Sequence, residues 1–369
     1  MSEQRLEISV PGKLFIAGEY AVLEPGHPAV VIAVNRYMKG DIRPSREYHL
    51  SLPGLGLDSL YWTYEDGEVV FAKTSKRLSF IKNTLEVCLQ YLSERQIPLA
   101  PFSLRITSEL DDASGKKYGL GSSAATAVTV VTSILHFFHQ RDVQVSRELI
   151  FKLASIAHFK TQGNGSCADI AASTYGGWIQ YSIFDQRWLI REIASKKPLK
   201  EILSRKWPGL EITKITPPDS LHLCVGWTGE KASTASMVGR IQHLKQDHRE
   251  SYEQFLADSK ASVQKILAGF QENDMNKVFK GIRSNRAALK KLGDLTGVPI
   301  ETEELRNLIE TANRYGVGKT SGAGGGDCGI AFVTDESDIE RLKATWRNQD
   351  IYPLELSVSP EGATVKTVD

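Results

Sequence analysis

Gly119-Leu120-Gly121-Ser122-Ser123-Ala124 is a glycine turn followed by two hydroxyls and then by small residues. It opens onto the apolar series Val128, Val130, Val131, Ile134 and Leu135. A glycine loop that runs into a helix N-terminus offers backbone N–H groups without intrahelical partners at the positive end of the helix dipole, and so suits a phosphate. The glycines let the backbone approach closely, and serine hydroxyls serve a phosphate or a Mg²⁺ ion. No Gly-Lys-Ser/Thr closes the motif, so it is not a Walker loop, and tight helix packing would use the same small residues. Lys116 and Lys117 stand just ahead of it, either as solvated loop charge or as local cations for an anionic substrate.

Three further segments carry residue types suited to chemistry. Lys13 follows Pro11-Gly12 in an otherwise apolar stretch, where it is either an exposed strand-end lysine or a cation set against a phosphate or a reacting hydroxyl. Asp169 lies among small neutral residues. There it either complements a helix dipole, worth about 0.3–1 kcal/mol, or serves as a base within reach of a substrate. Gly322-Ala323-Gly324-Gly325-Gly326 spends more backbone entropy than an ordinary turn requires, which suits close approach to a ligand or a mobile lid. The histidines form no evident catalytic set; His136 and His139 share a helix face with no acidic ligand near them.

Positioning these residues falls to a regular set of elements. Leu6–Val10 alternates as a strand that ends at Pro11-Gly12, and Lys13–Tyr20 reads as a second strand. Ala29–Val34 reads as a buried strand, with short strands near 48–52 and 60–64. The spacing of Phe80, Ile81, Leu85, Cys88, Leu89 and Leu92 predicts a helix over 78–93, and the strand Phe102–Ile106 leads toward the glycine motif. Ser146 is the expected N-cap of a helix carrying Leu149, Ile150, Leu153 and Ile156, which ends before Gln162-Gly163-Asn164-Gly165. Asp169 then falls in the first turn of a small-residue helix. Beyond the linker Thr216-Pro217-Pro218-Asp219 the chain is helix-rich, with helices expected over about 233–247, 250–270, 275–292 and 303–315.

At 369 residues the chain is long enough for two domains or about three. A 41% hydrophobic and 24% charged composition is ordinary for a globular protein. The net charge of +1 gives no global argument for a nucleic-acid or membrane partner, so any anion site must be local. Cys88, Cys167, Cys224 and Cys328 are scattered, which implies neither a disulfide framework nor a structural metal and makes a reduced cytoplasm the expectation. Met1–Val10 lacks a signal-peptide core, and the apolar run Ala124–Phe138 is too short to span a bilayer.

Pro11-Gly12-Lys13-Leu14-Phe15-Ile16-Ala17-Gly18-Glu19-Tyr20, Gly119–Ala125 and Lys319–Cys328 stand in the order of the three motifs of the GHMP kinase superfamily and resemble them. Gly115-Lys116-Lys117-Tyr118, Gly163-Asn164-Gly165-Ser166, Gly226-Trp227-Thr228 and the glycine-rich 324–329 resemble its bacterial phosphomevalonate kinase branch. An acceptor that already bears a carboxylate and a phosphate needs more cations than mevalonate or galactose does. Lys117 supplies one where mevalonate kinases typically carry small neutral residues, and Asp327 stands where their glycine is usual.

The resemblance implies an α+β, two-domain GHMP kinase fold. An N-terminal α/β domain like that of a ribosomal protein would cover residues 1–215, and a ferredoxin-like C-terminal domain 219–369, with the site in the cleft between them. It implies Mg²⁺-dependent transfer of the ATP γ-phosphoryl to the phosphate of (R)-5-phosphomevalonate, in the mevalonate route to isopentenyl diphosphate. The enzyme would be a monomer or homodimer without nucleic-acid or membrane partners. By the same resemblance Gly119, Leu120, Gly121, Ser122, Ser123 and Ala124 hold the ATP phosphates, and Ser122 or Ser123 ligates Mg²⁺. Lys13 offsets charge on the transferred group, and Asp169 is the acid near the acceptor. Lys117, Ser166, Ser233, Thr234, Gly322, Ala323 and Gly324 grip the acceptor, while Glu19 supports Lys13 or the metal. The adenine pocket is expected between about Leu60 and Asn83. A phosphate monoester is largely dianionic at neutral pH, so Asp169 is either a general base or a charge that orients Lys13 or the acceptor. Mevalonate kinase and a catalytically silent nucleotide sensor are the alternatives on this fold.

Overall fold

The structure, a computed structural model, describes residues 4–73, 78–112, 116–138, 145–230, 237–241, 245 and 248–368. Its first strand, β1 (Arg5–Ala17), runs straight through Pro11-Gly12, where the sequence predicts a turn between two strands. Proline is tolerated there for two reasons. The neighbouring C-terminal strand pairs β1 only from Arg5 to Ser9, so Pro11 lies on what has become an edge, and the register against the other neighbour shifts between Pro11 and Gly12.

The larger sheet also contains β2 (Ala29–Pro44), β3 (His49–Leu52), β4 (Leu57–Glu65), β5 (Glu68–Phe71), β6 (Phe102–Ser108), β7 (Trp178–Ser182), β8 (Glu211–Ile215) and the final strand β13 (Thr364–Val368). Its order is β13-β1-β2-β6-β3-β4-β5, with β7 beside β2 and β8 beside β7. Helices α1 (Ser79–Glu94), α2 (Ser122–Phe137), α3 (Arg147–Gln162) and α4 (Ala168–Tyr175) form the layer packed on it, followed by the short α5 (Gln186–Ala194) and α6 (Leu199–Ser204). Helix α2 meets β1 and β2 on one side and α1, α3 and α4 on the others, which is why its residues are apolar or small nearly all round. The Ser146 cap is formed as expected: its side chain accepts from Leu149 N at 3.1 Å, and Gly163 at φ +72° ends α3.

The second sheet is antiparallel, in the order β10-β11-β9-β12, from β9 (His222–Trp227), β10 (Val317–Thr320), β11 (Cys328–Val333) and β12 (Tyr352–Leu354). Its helices are α7 (Arg249–Glu272), α8 (Met275–Thr296), α9 (Glu303–Ala312) and α10 (Glu336–Arg347). Helix α9 ends three residues before the expected Tyr315, because the Asn313 side chain turns to accept from Gly318 N at the start of the next strand. Of the helix expected over 233–247, residues 237–241 and 245 are described, and all are helical.

The two sheets share one apolar core. Trp178 of β7 sits edge-on to Phe270 of α7 with centroids 5.6 Å apart, and against Phe332 of β11 at 6.1 Å. Strand β13 then returns from the second half of the chain to pair with β1. The larger sheet is therefore completed by residues that the sequence reading assigned to the 219–369 segment.

Candidate active site

Lys13 is where the three sequence motifs meet. Its backbone N–H donates to Leu120 O at 2.9 Å and its Nζ to Gly119 O at 2.9 Å, so β1 and the glycine turn are tied at one residue. Gly121, at φ +80°, caps α2, and a Cβ there would lie 2.9 Å from Lys13 Cγ. The absent side chain is the groove in which the lysine stem lies. Gly119, also at φ +80°, leaves room for the third motif: a Cβ there would stand 2.7 Å from the Asp327 carboxylate. Beside it Cys328 Sγ donates to Tyr118 O at 3.0 Å.

A cleft of about 390 Å³ opens over this junction. Lys13, Glu19, Lys117 and Gly119 through Ser123 line it on the strand and turn side. Ser166, Asp169, Gly322 and Ala323 line it as well. The first backbone N–H of α2 with a partner inside its own turn is that of Ala125, which bonds Gly121 O at 3.0 Å; those of Ser122, Ser123 and Ala124 precede it. The cleft floor is therefore a helix N-terminus flanked by two lysines, an arrangement that takes a phosphate.

Two expected residues stand elsewhere. The Ala124 side chain is buried in the core and does not line the cleft, since helical spacing turns it toward the sheet. Gly324 packs on Ile300, whose carbonyl would be 2.0 Å from a Cβ, so this glycine is required by the close approach of two loops and not by the cleft. Ser233 and Thr234 lie outside the described residues, and none of the described residues between Leu60 and Asn83 lines the cleft.

Asp169 sits in the first turn of α4 and accepts from Ile170 N at 3.0 Å. The loop before it is clamped from behind: Tyr181 Oη donates to Ser166 O at 2.6 Å, and Gln186 to Gly165 O at 2.8 Å. The Ser166 hydroxyl, in a residue that lines the cleft, accepts from Ala168 N at 3.3 Å and keeps its own proton to donate. Among the described residues no carboxylate forms an ion pair with Lys13, so Asp169 and Glu19 do not hold it directly.

Glu19 instead pairs with Lys319 of the third motif, and both are buried, at 2% and 0% exposure. Burial pulls the Lys319 pKa below its usual value against the opposing pull of Glu19. Glu19 Oε2 is buried without a hydrogen-bond partner among the described residues. Together with the Ser122 and Ser123 hydroxyls it provides the hard oxygen donors that a small divalent cation prefers. Ser321 and Tyr20 tie the third motif to the first: Ser321 Oγ bridges Phe15 N and O at 3.1 and 2.9 Å, and Tyr20 Oη donates to Ala323 O at 2.6 Å. The sequence reading did not single out Lys319, Ser321 or His158, which also lines the cleft. Lys319 and Ser321 lie inside a recognised motif, so position alone pointed to them; His158 carried no local signal.

Family models match both halves of the chain, "GHMP kinases N terminal domain" at residues 79–177 and "GHMP kinases C terminal" at 266–351. The chain is also 33% identical over 366 residues to a Streptomyces phosphomevalonate kinase, an alignment covering 95% of this chain and 96% of that one. The chain belongs to the GHMP kinase family. Among solved structures, this GHMP kinase superposes on a Listeria innocua protein with a TM-score of 0.92 at 36% identity, covering 99% of each chain. A Streptococcus pneumoniae phosphomevalonate kinase in complex with phosphomevalonate and AMPPNP matches with a TM-score of 0.81 at 31% identity, covering 96% of this chain and 99% of that one. A Thermococcus gammatolerans mevalonate kinase is 24% identical, covering 99% of each chain. The three GHMP motifs are thus the segments that converge on Lys13.

Proposed function

We propose that this GHMP kinase transfers the γ-phosphoryl group of ATP to the phosphate of (R)-5-phosphomevalonate, giving (R)-5-diphosphomevalonate and ADP. The observation that carries the reading is Lys117 in the same cleft as Lys13 and the α2 N-terminus, a second cation for a second phosphate. The likeness to phosphomevalonate kinases along nearly the whole chain supports it. Phosphoryl transfer asks mainly for positioning and charge neutralisation. The N–H groups of Ser122, Ser123 and Ala124 receive the ATP phosphates. An ammonium has three donors; Lys13 keeps one on Gly119 O, and the other two meet the transferred group. Lys117 and the Ser166 hydroxyl hold the acceptor. Its dianionic phosphate attacks without first losing a proton, so Asp169 orients rather than deprotonates. Mg²⁺, when bound by Ser122 or Ser123 and Glu19 Oε2, supplies positive charge to the phosphates. The four buried cysteine thiols fit a reduced, cytoplasmic setting.

ADP release with phosphomevalonate, mevalonate, homoserine and galactose in parallel tests the reading. Turnover with phosphomevalonate at least about a hundredfold above the others is expected, since a site built for a charged group rejects acceptors that leave it unpaired. Strong turnover of mevalonate with none of phosphomevalonate would sink it. In the same assay Lys117→Met is expected to raise KM for phosphomevalonate by about 10–100-fold, the worth of a hydrogen bond to a charged group, and to leave KM for ATP within about twofold. Equal rises in both constants would remove Lys117 from the acceptor side.

A further inference from the structure

His158 is 4% exposed, yet it lines the active-site cleft. Three neighbours set its ring from different elements. Phe80 of α1 meets it edge-to-face with centroids 5.1 Å apart. Gly165 makes room for it, since a Cβ there would lie 3.1 Å from His158 Cε1. Asp169 of α4 is the charged group that acts on it. Nδ1 is buried with no hydrogen-bond partner among the described residues.

Burial pushes the imidazole pKa below its usual value, against an upward pull from Asp169, so the ring is neutral near pH 7. A neutral imidazole carries one proton, and its tautomer follows from its surroundings. An orphaned buried N–H is rarer and costlier than an under-used acceptor, so Nδ1 keeps its lone pair and Nε2 carries the proton. The ring is then a rigid neutral donor in a cleft whose other groups are arranged for phosphate.

We propose that His158 is a substrate-binding residue that donates an Nε2–H hydrogen bond to a phosphate oxygen in the cleft, belonging either to the acceptor or to the nucleotide. The inference rests on the phosphoryl-transfer reading above for the presence of both phosphates. A neutral donor has a particular use beside Asp169: a cationic imidazole would be drawn onto that carboxylate, whereas the neutral ring stays available to the substrate.

Full-length H158Q, H158N and H158F separate this role from packing. A glutamine amide nitrogen reaches the position of Nε2, an asparagine amide that of Nδ1, and phenylalanine keeps the ring against Phe80 and Gly165. Calorimetric titration with phosphomevalonate alone and with ADP alone, alongside the two KM values, reads the outcome. H158Q is expected to keep both affinities within about threefold, while H158N and H158F weaken one ligand by about tenfold or more and spare the other. Loss of phosphomevalonate affinity assigns the acceptor phosphate, and loss of ADP affinity or a raised KM for ATP assigns the nucleotide. Unchanged affinities in H158N and H158F would overturn the proposal. So would equal losses in H158Q and H158F with a lowered melting temperature, the mark of a packing role. If wild-type protein turns over no phosphomevalonate, the functional reading fails, and the ADP titrations still decide whether His158 binds a phosphate.

Discussion

Lys13→Met is expected to lower kcat by about 100–1,000-fold while KM for ATP moves by less than about threefold, which corresponds to about 2.7–4 kcal/mol of stabilisation confined to the transition state. Methionine keeps the length of the stem and its packing across Gly121, so the α2 N-terminus and its N–H groups stay in place to bind the nucleotide. What is lost is the ammonium, which Gly119 O fixes at one corner and which in the proposed reaction turns its other two N–H bonds toward the group in flight. Charge on that group is redistributed in the transition state, and a prepositioned cation is worth more there than against the ground state. Steady-state ADP release with both substrates varied checks the split. A kcat that stays within about tenfold, only ~1.4 kcal/mol, would mean that Lys13 does not act on the transition state. Lys13→Arg is a useful companion: the wide guanidinium fork does not fit the groove above Gly121 and is expected to be impaired as well.

Lys319→Met is expected to give the largest loss of stability, about 3–5 kcal/mol, because it leaves the Glu19 carboxylate buried and uncompensated. The pair joins β10 to the turn after β1, 300 residues apart in the chain. Lys319 Nζ also donates to Thr320 O at 2.6 Å, so the methionine orphans a carbonyl as well. The double variant Lys319→Met/Glu19→Gln is expected to recover most of the loss, since a neutral amide costs far less to bury than a charge. Urea unfolding of the wild type, the single variant and the double variant measures this through the midpoint at unchanged slope. A double variant no more stable than the single would show that charge burial is not the governing cost. The damage should also reach the cleft. Tyr20, next to Glu19 and itself at φ +60°, holds Ala323 through its hydroxyl, so the Gly322–Ala323 wall loosens when the pair is broken.

Features set by local backbone preference and side-chain period were legible in the sequence. The glycine turn at Gly119 and Gly121 requires positive φ, and both residues have it. Helix α2 begins at Ser122, where the small residues begin, and Ser146 caps α3. The chemistry-bearing residues Lys13, Lys117, Ser122, Ser123, Ser166 and Asp169 all line one cleft, and each lies inside or beside a motif that stood out in the sequence for its residue types. Pro11-Gly12 misled for the same local reason. Proline and glycine usually end a strand, and only the partial cover of β1 by β13 and the bulge against β2 let the strand continue.

By itself the sequence determined the glycine turn at the head of α2, the order of the three motifs and the lysines that accompany them. Only the tertiary structure decided which of these groups touch. It put Glu19 on Lys319 rather than on Lys13, set Gly324 against Ile300, turned Ala124 into the core and brought β13 back to the first strand. It also brought His158 of α3 under the electrostatic influence of Asp169 of α4, with Nδ1 lacking a hydrogen-bond partner among the described residues. The reason is physical. Backbone propensity and periodicity act over a few residues and leave a trace in the local sequence. Desolvation and ion pairing depend on neighbours hundreds of positions away, and they arise only when the chain has closed on itself.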